Sequence, residues 1–282
     1  MSKDPPGPVL SDAGRAGWHR LATEPAAGLV ALDYDGTLAP IVPRPEDARA
    51  QAGAVAALQA VRATGLRVVV ITGRPAETAV VLGGLDAVPG LVVLGHYGLQ
   101  RWEDGRLTSP DPTPGVAVAR DALEAYVAER DDGETVEDKH HSVALHTRNS
   151  ADPTTAFDRA RPLLADLAAR CGLELVPGRF VLELRPPGID KGGALRRELG
   201  AGDVRAVLVA GDDLGDLPAL DAVDEVRATG LAAIVVCSDS AETPAQLRER
   251  SDLLVPGPPG VVATLEALAE AATAGGGVLA PA

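Results

Sequence analysis

Short apolar runs that stop abruptly at polar residues recur along this chain. Gly28-Leu29-Val30-Ala31-Leu32 stops at Asp33-Tyr34-Asp35-Gly36-Thr37-Leu38, and Val68-Val69-Val70-Ile71 stops at Thr72-Gly73-Arg74. Residues 91–94 run into Gly95-His96-Tyr97-Gly98, and residues 204–210 into Gly211-Asp212-Asp213-Leu214-Gly215-Asp216. Further runs cover 231–237 and 252–255, the latter short enough for a sheet edge. Runs without polar alternation predict strands buried on both faces, as in a parallel sheet. Between them, spaced Ala, Val and Leu predict helices over 11–23, 49–64, 75–83, 191–199 and 259–274. Ser11 or Asp12 supplies the cap of the first, and Pro75 suits the first turn of the third. Strands alternating with helices predict an α/β fold, a parallel sheet with helices on both faces.

The pattern breaks in mid-chain. Residues 109–115 (Ser-Pro-Asp-Pro-Thr-Pro-Gly) read as a boundary. Helices follow over 116–130 and 154–171, with extended segments over 134–148 and 173–185. The parallel pattern resumes at Lys191. The expected organisation is a core of 1–108 plus 187–282, interrupted by an inserted α/β domain over 109–186. Residues 1–10 and 275–282 read as loose ends, and no fixed-period repeat is visible.

Composition narrows the partners. The chain has 282 residues and a net charge of −14, from 26 Lys+Arg against 40 Asp+Glu. A surface that acidic repels phosphate backbones and anionic lipid, so no nucleic-acid or membrane partner is expected. Aromatics at 2% also argue against base-stacking platforms. The core is expected to be built from Ala, Val and Leu. Two cysteines, Cys171 and Cys237, make neither a disulfide scaffold nor a zinc cluster, and read as buried thiols. The N-terminus has no apolar signal core, and no apolar run approaches a membrane span. The expectation is a soluble cytoplasmic protein.

The candidate chemistry lies at the strand ends. In an open parallel sheet, ligands bind beyond the carboxyl ends of the strands, where Asp33, Asp35, Thr72, Asp212, Asp213 and Asp216 fall. Asp33 and Asp212 meet if both strands lie centrally in one sheet. Clustered carboxylates repel one another without a cation, and hard oxygen ligands suit magnesium together with a substrate phosphate. An Asp carboxylate can also attack phosphorus. Taken singly, these residues have ordinary readings. Asp35-Gly36 suits a turn, Thr72 a helix cap, Lys191 a surface lysine, Arg74 an ion pair and Asp213 a turn position. His140, His141 and His146 resemble a metal cluster, but strand alternation would split 140 from 141.

The motifs in their order change those odds. Asp33-Tyr34-Asp35-Gly36-Thr37-Leu38 resembles the DxDGT signature of the haloacid-dehalogenase (HAD) phosphatases. Ile71-Thr72-Gly73-Arg74, Lys191 and Gly211-Asp212-Asp213-Leu214-Gly215-Asp216 resemble the second, third and fourth motifs. Val136-Glu137-Asp138-Lys139, Leu145-His146-Thr147-Arg148 and residues 181–192 narrow the resemblance to the trehalose-6-phosphate phosphatase family. The resemblance implies a Rossmann-like parallel-sheet HAD core with an inserted α/β cap of the class IIB type. It implies Asp33 as nucleophile and Asp35 as general acid and then base. Thr72 would give its hydroxyl and amide to the phosphate, and Lys191 would neutralise charge. Magnesium would be held by Asp33, Asp212, Asp216 and the Asp35 carbonyl. Glu137, Lys139 and Glu183 would bind sugar hydroxyls, with Arg148 and His146 as further candidates. The partner is then a small-molecule sugar phosphate, with a functional link to a trehalose-6-phosphate synthase.

Two departures stand out. Leu217 follows Asp216 where the family usually has Glu, and Tyr97 precedes Gly98 where the family usually has His or Asn. The alternatives are another sugar phosphate, such as a mannosylglycerate or sucrose phosphate, a phosphotransferase or mutase, and a non-catalytic sugar-phosphate-binding module.

Overall fold

The computed structural model describes residues 5, 7, 11–178 and 180–275. The two loose ends read from the sequence fall almost wholly outside the described residues. In the first part of the core, α1 (Asp12–Thr23), β1 (Gly28–Leu32), α2 (Ala54–Ala63), β2 (Arg67–Ile71), α3 (Ala76–Gly83) and β3 (Val92–Gly95) follow one another. They lead to a short antiparallel pair, β4 (Gln100–Glu103) and β5 (Arg106–Thr108). An inserted unit then contains α4 (Pro114–Ala128), β6 (Thr135–Asp138), β7 (Val143–His146), α5 (Pro153–Cys171), β8 (Glu174–Gly178) and β9 (Val181–Arg185). The core resumes with α6 (Lys191–Gly200), β10 (Ala206–Gly211), α7 (Leu217–Ala228), β11 (Ala232–Asp239), α8 (Ala245–Arg250), β12 (Leu253–Pro256) and α9 (Gly257–Gly275). Two compact units result, Met1–Thr108 with Asp190–Ala282, and Ser109–Ile189.

The core sheet has eight strands in the order β12-β11-β10-β1-β2-β3-β4-β5. From β12 to β3 neighbours pair in parallel, and β4 and β5 extend the edge antiparallel. Alternate residues of each run face opposite layers, as the two-residue period of a strand requires. Val30, Leu32, Val68, Val70 and Leu208 pack under α1, α2, α3 and α9. Leu29, Ala31, Val69, Val207 and Val209 pack under α6, α7 and α8. The sheet is therefore covered on both faces, which is why its strands lack polar alternation. The core is indeed largely Ala, Val and Leu, with Trp18, Tyr34 and Trp102 as its large aromatic members. Among the described residues no helix is long and apolar enough to cross a membrane.

The inserted unit is a four-stranded antiparallel sheet, β6-β7-β9-β8, with α4 and α5 on one face. Val143, Leu145, Leu182 and Leu184 point into that helical layer. The intervening positions Glu137, Ala144, His146 and Glu183 stand on the opposite face, set by pairing of Ala144 with both Glu137 and Glu183.

Several expectations are corrected. The helix read over 49–64 begins only at Ala54, because Gln51 donates its amide to the Leu38 carbonyl (2.7 Å) and draws 49–52 to the loop after β1. The segment 134–148 is a hairpin rather than one strand, turning where His140 takes a left-handed φ of 69°. His140 and His141 lie in that turn, so no strand alternation separates them, and their rings meet edge-on at 4.8 Å. Helices α7 and α8 and the β4–β5 edge are not part of the sequence reading. Cys237 is buried, but Cys171 is half-exposed at the end of α5.

Asp252 ties the far edge of this core together. Its buried carboxylate accepts hydrogen bonds from the Val235 amide (2.7 Å), Arg227 and Ser11. Truncation would leave the buried Val235 amide without this partner and deprive the Arg227 guanidinium of its buried counter-charge. Asp252→Ala is expected to cost about 3 kcal/mol, read as a lowered midpoint in urea or thermal unfolding. An unchanged midpoint would remove this role.

Candidate active site

Asp33 follows β1 directly and Asp212 follows β10, and these strands are neighbours with Leu32 opposite Ala210. The Asp33 amide continues the ladder by donating to the Ala210 carbonyl (3.0 Å). Residues far apart in sequence are thereby brought together at the carboxyl end of the sheet. Gly36 has a φ of 78°, and a Cβ there would overlap the Asp212 carboxylate, so only glycine fits the turn. Ser238, at the end of β11, donates its buried hydroxyl to the Gly36 carbonyl (2.6 Å) and steadies that turn. The sequence reading does not include Ser238. Its signal is the one that marks Asp33 and Asp212, a polar residue closing an apolar run.

Asp216 sits in the turn after β10, where its carboxylate accepts the amides of Asp212 (3.0 Å) and Asp213 (3.2 Å). Lys191 opens α6, whose cap Asp190 accepts the Gly193 amide (2.7 Å). The Lys191 ammonium lies 2.7 Å from both Asp33 Oδ1 and Asp216 Oδ1, and the lysine is only 5% exposed. Carboxylate oxygens of Asp33, Asp212 and Asp216 all lie within 4.8 Å of one another.

Electrostatics follow from that crowding. Burial drives the Asp33 carboxyl well above its usual range; Lys191 opposes this, while Asp216, Asp212 and Asp213 add to it. Burial likewise raises Asp216 and, with Asp216 and Asp213 alongside, pushes Asp212 up to about 7. Burial would discharge Lys191, but Asp216 and Asp33 outweigh it and hold the ammonium charged. The single buried lysine leaves the carboxylates under-compensated. A compact set of hard oxygen donors with excess negative charge fits a divalent cation that prefers oxygen.

The other core candidates frame this group. Asp35 forms a fork with Arg74, Nε and Nη2 each 2.6 Å from a carboxylate oxygen, so the ion pair read for Arg74 has Asp35 as its partner. Thr72 is buried; its hydroxyl oxygen accepts the Arg74 amide (3.1 Å). Its own amide donates to the Leu94 carbonyl (3.0 Å), so the amide expected at a phosphate is already used by the sheet. Thr72 does not cap α3 either, whose cap position is Pro75. The segment after β3 runs alongside. His96 (φ 48°) and Tyr97 (φ 56°) are both left-handed, which costs a non-glycine residue roughly 1–2 kcal/mol each.

In the inserted unit Glu137, Lys139 and Glu183 do converge. The Lys139 ammonium is 3.8 Å from Glu137 and 3.6 Å from Glu183. Glu183 is buried and accepts the Ser142 hydroxyl (2.5 Å), and Glu137 lies 2.7 Å from His146 Nε2. Arg148 is exposed, with its guanidinium 6.0 Å from the Phe180 ring centroid, and has no ion pair to these glutamates. The sequence reading does not include Ser142, a turn residue that carries no motif signal of its own.

The Trehalose-phosphatase family model matches residues 31–252. An uncharacterized glycosyl hydrolase of Mycobacterium tuberculosis is 37% identical over 225 residues, covering 73% of this chain and 16% of that protein. A trehalose-phosphate phosphatase of Mycobacterium marinum is 37% identical over 213 residues, covering 69% of this chain and 51% of its own length. The chain thus spans about half or less of these relatives. The C-terminal domain of a trehalose-6-phosphate phosphatase from C. albicans superposes with a TM-score of 0.75 at 18% identity, covering 95% of this chain and 99% of that one.

The raised Asp212 pKa has a measurable sign. A carboxyl whose folded pKa exceeds its unfolded value stabilises the fold below 3.8, and that stability is lost as pH rises to about 7. In chelator, the melting temperature is expected to fall across that window. Added magnesium should restore it near neutrality by mass action. Asp212→Asn should flatten both effects. A pH-independent, magnesium-independent melting curve for the unsubstituted chain would rule out this electrostatic account.

Proposed function

The chain belongs to the trehalose-phosphatase family, and on that premise we propose that it hydrolyses trehalose 6-phosphate to trehalose and phosphate. The observation that carries the reading is the convergence of Asp33, Asp212, Asp216 and Lys191 at the carboxyl ends of β1 and β10. Asp33 attacks phosphorus, an aspartyl phosphate forms, and the bond to the sugar oxygen breaks. Asp35 gives that oxygen a proton, then takes one from the water that cleaves the aspartyl phosphate and releases inorganic phosphate. Lys191 offsets charge on the nucleophile and the phosphoryl oxygens, which is where phosphoryl transfer needs most help. The Thr72 hydroxyl donates to a phosphoryl oxygen. Both Asp35 oxygens are taken by the Arg74 fork, which must open for Asp35 to serve the leaving oxygen.

Asp33, Asp212, Asp216 and the Asp35 carbonyl would hold magnesium, which supplies positive charge to the phosphoryl oxygens when bound. In the inserted unit, Glu137, Lys139 and Glu183 offer two acceptors and a donor set suited to sugar hydroxyls, with Ser142 and His146 fixing the carboxylates. A glycosyl transfer that yields trehalose 6-phosphate would supply the substrate.

Leu217, in place of the usual Glu, favours testing other sugars as well. Purified protein with magnesium is expected to turn over trehalose 6-phosphate faster than glucose 6-phosphate, sucrose 6-phosphate or a mannosylglycerate phosphate. A different winner would move the assignment to that sugar. Asp33→Asn is expected to lower kcat by at least about 10³-fold; retained phosphate release would exclude Asp33 as nucleophile.

A further inference from the structure

We infer that Tyr97 is a positioning residue for the phosphate-binding loop, fastening Thr72-Gly73-Arg74 on one side and the helix that begins at Lys191 on the other. The inference rests on the phosphatase reading of the site. Tyr97 and His96 adopt consecutive left-handed conformations, a geometry that bulky residues keep only where surrounding contacts enforce it. Those contacts run to the second motif. The His96 amide donates to the Arg74 carbonyl (2.9 Å), and the Tyr97 amide donates to the Thr72 carbonyl (2.9 Å). The phenol lies directly on Gly73, where an added Cβ would come within 2.6 Å of its Oη and 2.8 Å of its Cζ. The other side of the turn abuts α6. Arg197 donates to the Gly98 carbonyl (3.1 Å), and a Cβ at Gly98 would stand 2.8 Å from the Ala194 side chain.

This single turn therefore bridges the Thr72 hydroxyl and the element that carries the Lys191 ammonium. A phosphoryl group held by both needs their separation fixed to within a fraction of an ångström, and small misplacements are costly. The tyrosine ring, pressed on the only residue small enough to accept it, sets the path of the loop between Thr72 and Arg74.

Backbone preference makes the role separable from ordinary packing. Glycine accepts a left-handed φ at no steric cost, so Tyr97→Gly removes the ring while relieving strain. With trehalose 6-phosphate, KM is expected to rise about tenfold with little change in kcat, as for loss of binding common to substrate and transition state. The inhibition constant of inorganic phosphate should rise in parallel, with the melting temperature unchanged or higher. Tyr97→Phe, which keeps the ring on Gly73, should stay near the unsubstituted values. Unchanged KM and phosphate inhibition in Tyr97→Gly would overturn the inference. So would a lowered melting temperature with activity loss that merely follows unfolding, or a Tyr97→Phe defect as large as that of Tyr97→Gly. If the unsubstituted chain does not hydrolyse trehalose 6-phosphate, the phosphatase reading fails on its own. Calorimetric binding of inorganic phosphate to the same variants then still decides the role of Tyr97, weaker binding in Tyr97→Gly alone supporting it and equal binding in all three overturning it.

Discussion

One buried ammonium, that of Lys191, is the contact on which the active end of the core depends. It touches Asp33 and Asp216 at 2.7 Å each, with Asp212 beside them. Without it, the buried carboxylates would face each other in a medium too dry to screen them. The rest of the local architecture delivers that charge to that point. Asp190 caps α6 so that its first side chain points inward. The β1–β10 ladder fixes Asp33 and Asp212 side by side. Gly36 leaves room for the Asp212 carboxylate, and Ser238 holds the Gly36 carbonyl. Removing any of these changes the distance between like charges, where energy varies most steeply.

The chain's net charge of −14 sets the scale on which this site must act. Long-range steering favours cations and disfavours an anionic sugar phosphate. Under the proposed function, capture would then depend on short-range contacts, with the Lys191 ammonium, the Thr72 hydroxyl and a cation held by the carboxylates supplying the attraction. Part of the acidic excess is accounted for inside the fold, since Asp33, Asp212 and Asp216 surround one point and Asp252 is buried in another network. The acidic coat is correspondingly less uniform than the composition suggests.

Sequence made the central sheet legible because each strand there is an uninterrupted apolar run closed by a polar residue. The same feature located Asp33, Thr72 and Asp212, since strand ends are where a parallel sheet presents its chemistry. Helix α7 has no counterpart in the sequence reading, since Pro218 and the acids Asp221, Asp224 and Glu225 interrupt its apolar positions, although Pro is welcome in a first turn. The β4–β5 pair was hidden by charge: β4 alternates Gln100 and Trp102, both buried, with Arg101 and Glu103, and β5 is an exposed edge strand opened by Arg106, so neither carries an apolar run. Pairings that arise only in three dimensions left no local trace. Arg74 reaching Asp35, Ser142 reaching Glu183 and the Thr72 amide reaching Leu94 are of this kind.

The position of β1 in the sheet also fixes an order of events in biosynthesis. Gly28 pairs with Ala206, and α1 is anchored through Ser11 to Asp252. A chain emerging N-terminus first can assemble β1, β2 and β3 early, but one edge of β1 stays bare until the inserted unit has been made and β10 follows. That edge is an apolar strand with unpaired amides and carbonyls, the kind of surface on which nascent chains associate. The inserted unit carries its own core of short-range contacts and can fold in the interval. The crowding of Asp33 with Asp212, Asp216 and Lys191 needs β10 beside β1, so it cannot precede synthesis of the chain through Asp216.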